Sequence, residues 1–415
     1  MSSVAWKARR LKAMGIAEVT YRVAQAGRAF AERHGLGLAG TPKKVRDGSG
    51  NPWLEEMPKE FADGSDIYLD RAQGVLDGRF SVFSMPEADL GFPPDWLRDP
   101  RTGTRSPLVF GKTLDYRKEN LVGDIKYLWE PNRHLELVWL AQAWHLSGEQ
   151  KFLDGAGRLL CSWVEQNPYP LGVNWTSSLE HAIRLINWSF AWHLLGGEKS
   201  PLFADSKGAS LKDQWLDSVY KHCFFIARHF SRYSSANNHL LGENAGLFVG
   251  SVTWPYWRES AAWAGQAREA LDREALTQNS QDGGNREQAF WYQHEVADML
   301  MICGLVGRAN HIDFSESYWR QLEAMLEFMA SMMSVSGEMP MIGDSDDALI
   351  VGLSPDRNVY RSLLASGAVL FSRAEFKCKS AGYDDKTRWL LGDQGALLFH
   401  SLAGSAHGLP VRREF

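Results

Sequence analysis

The chain has 415 residues, a net charge of −5 and an apolar fraction of 44%. That length suits one very large domain or two, and that apolar share supports a real core. The mild negative charge excludes the basic footprint of a nucleic-acid binder and leaves any polyanionic ligand dependent on local positive groups.

Residues 6–30, WKARRLKAMGIAEVTYRVAQAGRAF, are basic and amphipathic with no apolar h-region, so they do not read as a secretory signal. An ordinary N-terminal helix with an exposed Lys/Arg face accounts for them. A transit peptide and a basic helix lying on an anionic membrane, a peripheral contact, are the other readings. No run in the sequence is apolar enough to span a bilayer. Residues 35–110 are rich in Gly, Pro, Asp and Trp, with a strand-like piece at Arg79–Phe83. They read as an arm wrapped over the main body, and residues 1–121 are taken together as N-terminal helix and arm.

From about Val122 the pattern becomes helix after helix. Leu135, Val138, Ala141 and Gln142 mark one face; Phe152, Ala156, Leu159, Leu160 and Trp163 the next; Leu179, Ala182, Ile183, Ile186 and Phe190 a third. Segments 212–233, 239–250, 258–277, 287–306 and 312–334 continue the series with short connectors. Antiparallel helical hairpins stacked side by side are the natural packing, either an open solenoid or a closed (α/α) toroid, over residues 122–355. After Met341 the period changes. GAVLFSR (367–373), RWLLGD (388–393) and ALLFHSLAG (396–404) read as strands bounded by Gly and Asp. Three strands cannot stand alone as a sheet domain, so 356–415 either packs on the helices or is what remains of a larger β domain. The fold class is mainly α.

Polar residues concentrate in a few places. SSANNHLLGENAG (234–246) sets Asn237, Asn238, His239, Glu243 and Asn244 at the start of a Leu-rich helix. Helix capping explains one Asn and Glu243, but not a second Asn followed directly by His. DGGNREQAFWYQHE (282–295) is a turn opening a helix that presents Glu287, Tyr292 and His294, with Gln288, Tyr292 and Glu295 on one face. NWTSSLEHAIR (174–184) offers Glu180 and Arg184 as an i,i+4 ion pair. WEPNRH (129–134) puts Asn132, Arg133 and His134 at a helix mouth. GDSDD (343–347) fits no EF-hand spacing and reads as a solvated turn or cap. His400 and His407 come near the end. Four cysteines without CxxC spacing read as buried thiols in a reducing compartment. Seventeen Trp suit sugar clefts, and also the cores of helical toroids.

Glycoside hydrolysis wants two placed carboxylates, for which Glu180, Glu243 and Glu287 are available. β-Elimination from a uronic acid fits the residue types better. It removes a proton alpha to a carboxylate, and Asn amides or cationic His masking that carboxylate stabilise the aci-enolate. A Tyr or His takes the C5 proton and a Tyr protonates the departing 4-oxygen; a Tyr able to do so must be perturbed by nearby cations.

The ordered series NWTSSLEHAIR, SSANNHLLGE, DGGNREQAFWYQHE, PMIGDSDD and SAHG resembles the heparinase II/III family of polysaccharide lyases, and is similar to the related alginate lyases. The resemblance implies an (α/α) toroid followed by an antiparallel β-sandwich, here incomplete, with a cleft between them. It implies that Asn238 and His239 neutralise the uronate, that Tyr292 is the general acid/base and that His407 is the sandwich His. Trp175, Glu180, Arg184, Glu243, Arg286, Glu287, Trp291 and His294 are the substrate-subsite residues. The sequence leaves the family pattern after Ser405-Ala406-His407-Gly408, where a second His and an Asp are replaced by LPVRREF. A truncated or frameshifted reading frame is the simplest explanation. It removes the family-type metal site on the sandwich, and no cofactor or metal is otherwise implied. The partner implied is an acidic polysaccharide. The absence of a signal places the chain in the cytoplasm, whereas substrate logic places it in the periplasm. A glycoside hydrolase on the same scaffold and an inactive glycan-binding remnant are the rival readings.

Overall fold

A computed structural model describes residues 14–61, 64–334, 336–344, 347–355 and 358–403. The N-terminal part supplies helices α1 (Ile16–Arg33) and α2 (Asp66–Leu76), then a hairpin of β1 (Arg79–Val82) and β2 (Met85–Asp89). The strands pair antiparallel, Arg79 opposite Asp89, and β1 is the strand read from the sequence. Two short helices, α3 (Glu119–Val122) and α4 (Ile125–Trp129), lead into the main series. That series is α5 (Leu135–Ser147), α6 (Gln150–Gln166), α7 (Ser178–Leu194), α8 (Ser206–Arg228), α9 (Asn238–Thr253), α10 (Ser260–Thr277), α11 (Phe290–Ala309) and α12 (Glu316–Met332). It closes with α13 (Val359–Leu370), α14 (Ala374–Ser380) and α15 (Asp385–Ser401).

Two kinds of helix alternate. In α5, α7, α9 and α11 burial runs almost unbroken, from Leu241 to Thr253 in α9 for example, as expected of helices apolar all round. In α8 the buried residues Leu211, Trp215, Val219, Cys223 and Ile226 recur every three or four positions, leaving a polar outer face. The first kind forms an inner ring: α5 packs on α7, α7 on α9, α9 on α11 and α11 on α13. Glycines allow the tightest of these crossings. A Cβ on Gly246 would lie 2.2 Å from the Ala182 Cα, and one on Gly242 2.5 Å from a Leu179 methyl, so α9 lies almost backbone to backbone on α7.

The ring is a closed helical toroid, and the C-terminal segment closes it. α2 packs on α5, and α15 packs on α13. Between α2 and α15, Tyr68 Oη donates to Asp385 at 2.7 Å and accepts from Trp389 Nε1 at 3.2 Å. Trp53 Nε1 donates to the Trp389 carbonyl at 2.8 Å. Lys386 reaches inward to Asp298 of α11, a buried ion pair at 2.7 Å.

This corrects the reading of residues 367–404 as strands. GAVLFSR spans the end of α13 and the link to α14; RWLLGD and the residues up to Ala403 belong to α15 and its exit, bent at Gly392 (φ 63°). Short apolar runs do not distinguish a buried helix from a buried strand, and the period-2 alternation was too brief to decide. Among the described residues of 358–403 there is no strand. Surplus Trp also has a structural answer: Trp96, Trp163, Trp175, Trp188, Trp192, Trp215, Trp254 and Trp389 are fully buried. All four cysteines are unpaired thiols, but only Cys223 and Cys303 are buried; Cys378 is exposed. No helix among the described residues is long and apolar enough to cross a membrane.

Candidate active site

Helix α9 begins at a doubly held turn. Asn237 is its N-cap and accepts from the His239 N–H at 3.1 Å. The carboxylate that completes the cap does not come from Glu243. Glu287, in the loop before α11, accepts from the Asn238 N–H at 2.8 Å and from Asn237 Nδ2 at 3.3 Å. Burial raises the Glu287 carboxyl above its ordinary range despite those two donors. Asn238 therefore holds Glu287 through its backbone; its amide oxygen is buried and has no hydrogen-bond partner among the described residues. His239, the next residue, is exposed.

Helix α11 starts later than the sequence suggests. The Asp282–Asn285 turn, with Gly283 at φ 91°, leads not into a helix but into a loop in which Gln288 takes φ 56°; the first helical residue is Phe290. Gln288 therefore does not share the Tyr292 face. Tyr292 and Glu295, three apart on the helix, do, and both are half-buried.

A buried ion pair lies beside these two helix starts. Pro131–Arg133 form a 3-10 turn, and His134 (φ 64°) turns the chain into α5. Arg133 donates to both Glu180 oxygens, each at 2.9 Å, and to Glu130 at 3.0 Å. Burial pushes the Glu180 carboxyl up, but the Arg133 charge and hydrogen bonds, with Arg184 and His239, hold it below the ordinary range. Burial likewise disfavours the Arg133 charge, and Glu180, Glu130 and Glu295 more than restore it. The pair is thus within electrostatic reach of His239 on α9 and of Glu295 on α11, one turn beyond Tyr292. The starts of α7, α9 and α11 and the 131–133 turn meet at one rim of the ring.

The sequence pairing of Glu180 with Arg184 is not formed. Arg184 is fully buried, donating to the Asn132 carbonyl at 2.6 Å and lying 2.9 Å from His222 Nε2; burial lowers its guanidinium to about 9. Trp175 is 1% exposed, its Nε1 bonded to the Asn167 carbonyl at 3.0 Å, so it is core and not a sugar platform. Glu243 is buried and accepts from the Ser231 N–H and Oγ at 2.6 and 2.7 Å; burial raises its carboxyl to about 7. His294 is buried, lowered by that burial to about 4, and neighbours the Asp298–Lys386 pair at the ring closure. These four are removed from the subsite, and with Glu180 and Glu243 both held by donors, neither is a free carboxylate for glycoside hydrolysis.

Trp291 is half-buried with Nε1 bonded to the Ala348 carbonyl at 3.1 Å. Arg286 is exposed, makes no ion pair among the described residues, and lines a cavity of about 410 Å³ with Asn285, Gln288, Phe290 and Phe328. Asn132 and His134 are structural: Asn132 Oδ1 accepts from Trp163 and Asn174, both at 2.8 Å, and His134 Nδ1 accepts from Trp188 at 2.7 Å. Ser345, Asp346 and His407 lie outside the described residues, and among the described residues no group of three metal-ligating side chains occurs. The rim's main cation, Arg133, was visible in the sequence only as one residue of a helix mouth. The Glu130–Arg133 spacing of three was the available signal.

The family profile Heparinase II/III N-terminus matches residues 95–368. The chain belongs to the heparinase II/III family. It is similar to the heparin-sulfate lyase of Bacteroides stercoris, 24% identical over 327 residues, which cover 71% of this chain and 48% of that protein. It is also similar to the heparin-sulfate lyase of Pedobacter heparinus, 25% identical over 270 residues covering 63% and 38%. Among solved structures, one of heparinase III aligns with a TM-score of 0.56 at 16% identity, covering 87% of this chain and 52% of that one. A mutant of the heparan sulfate lyase from Pedobacter heparinus aligns at 0.52 and 18%, covering 92% and 53%. These structural likenesses concern the fold. The chain spans about half the length of the relatives it matches. The matched heparinase II/III region includes every rim residue described above, from Glu130 to Glu295.

Proposed function

We propose that this chain acts on a uronic-acid polysaccharide of the heparan sulfate class by β-elimination, at the rim where α7, α9 and α11 begin. The observation that carries the reading is the Glu287 link. One carboxylate grips the turn bearing Asn238 and His239 and lies five residues before Tyr292 in the same connected segment. The Asn238 side-chain N–H donors and the exposed His239 imidazole meet the substrate carboxylate and stabilise the charge that develops as the C5 proton leaves. Tyr292 takes that proton and returns one to the departing 4-oxygen, leaving a 4,5-unsaturated uronate at the new non-reducing end and a new reducing end on the released sugar. Arg133 is balanced by Glu180 and Glu130, so the local positive charge that an acidic polymer requires of a protein with negative net charge falls to exposed side chains. Arg286, at the neighbouring cavity, suits an acidic group on an adjoining sugar. The names of the similar proteins support a sulfated glycosaminoglycan as the substrate.

The test is incubation with heparan sulfate, hyaluronan, alginate and bacterial capsular polymers while following the ultraviolet absorbance of the unsaturated uronate. Absorbance that grows with heparan sulfate and is abolished by Tyr292→Phe supports the reading. New reducing ends without that absorbance would mean hydrolysis, and sugar binding without turnover would mean a glycan-binding role.

A further inference from the structure

Helix α1 sits on the body with its polarity reversed. A surface helix ordinarily turns its apolar stripe inward and its charges to water. Here the acidic and polar residues face the protein. Glu18 is buried and accepts from Arg22 at 2.8 Å and Ser234 at 2.6 Å; Glu32 is buried between Arg228 (3.1 Å) and His229 (2.9 Å). Tyr21 donates to the Phe230 carbonyl, and Gln25 and Arg28 to that of Arg228. The outward column is Ile16, Val23 and Phe30, 88%, 67% and 67% exposed, with Leu36 just beyond the helix at 66%. The intervals of seven keep the three on one line of the helix. Both acids of α1 are turned inward, so the outward face is free of negative charge, and its exposed ionisable residues at the C-terminal end are Arg33 and His34. The thirteen residues before Met14 add Lys7, Arg9, Arg10 and Lys12 and no acid.

We propose that this face of α1 is a docking surface for an anionic lipid bilayer, with Ile16, Val23, Phe30 and Leu36 entering the interface and the basic residues meeting the headgroups. An apolar column free of acids and flanked by cations suits negatively charged lipid better than a second copy of the same positively charged face, which would repel it. The contact is independent of the reaction proposed above. The segment α1 grips, 228–235, runs directly into the turn that begins α9, so docking would bring the rim towards the lipid surface.

The test uses the full chain, sedimented with vesicles of phosphatidylcholine alone or of phosphatidylcholine with phosphatidylglycerol. The wild type is expected to sediment with the anionic vesicles only, and to be released by salt. Ile16→Ser/Val23→Ser/Phe30→Ser should weaken that partition at least about tenfold, with its thermal melt unchanged because the three side chains are exposed. Arg33→Glu should weaken it less, leaving the apolar column intact. Failure of the wild type to bind anionic vesicles, or equal binding by the triple variant, overturns the proposal. So does a concentration-dependent dimer that the triple variant abolishes, since a second copy would then be the occupant.

Discussion

At the ring closure, a buried ion pair and two indole N–H groups are matched. Asp298 meets Lys386 at 2.7 Å, Tyr68 joins Asp385 to Trp389, and Trp53 takes the remaining carbonyl. At the rim, polar groups are less completely enclosed. Arg133 is fully engaged by Glu180 and Glu130, but the Asn238 amide oxygen is left without a partner, His239 is exposed, and Tyr292 is half-buried. Matched burial fixes a fold; polar side chains that reach the surface at a helix start can meet a ligand. The comparison separates two residues that look alike in the sequence. His294 lies two positions from Tyr292, yet it belongs to the closure, beside Asp298 and Lys386.

If the two regions differ in this way, variants should divide between activity and stability. Tyr292→Phe should lower elimination about 10³-fold, with a far smaller effect on the urea midpoint than Lys386→Met, measured by initial rates and denaturation on one preparation. Lys386→Met should do the reverse. It strands a buried carboxylate and should cost about 3–5 kcal/mol of unfolding free energy, while the turnover per folded molecule stays near wild type. Asn238→Ala should lower kcat about 10²-fold, and because Asn238 holds Glu287 through its backbone N–H, the α9 start should stay capped and stability should hold. The smallest effect concerns pH. Glu243 has its carboxyl raised by burial to about 7, so the folded state holds a proton that the unfolded chain has released. Its contribution is therefore complete below the ordinary carboxyl range and is lost as pH rises to about 7, by roughly 2–3 kcal/mol. Glu243→Gln should flatten that part of the pH dependence of thermal melting, and an unchanged slope would remove Glu243 as its source.

Much of the ring was legible because each inner helix carries its apolar residues at helical spacing, and an Asn cap was readable before the Leu-rich run, though not which Asn supplies it. What was not legible depends on partners far apart in sequence. Glu287 caps a turn 49 residues earlier, so no local motif announces it. Arg133 takes Glu180 from Arg184 across 47 residues, defeating an i,i+4 rule that holds for isolated helices. Residues 367–403 looked like strands because their apolar runs are short, and only contact with Tyr68 and Trp53 shows that they complete a ring. The Trp surplus pointed to sugar because composition carries no address; eight of the rings are packed inside.

The central claim is that Asn238 and Tyr292 act on one sugar acid in one step. A double-mutant cycle reads that most directly, comparing elimination of heparan sulfate by Asn238→Ala, Tyr292→Phe and the double variant. Residues acting as a unit give a double variant little worse than the poorer single one. Losses that multiply, or a single variant that eliminates at the wild-type rate, would contradict it.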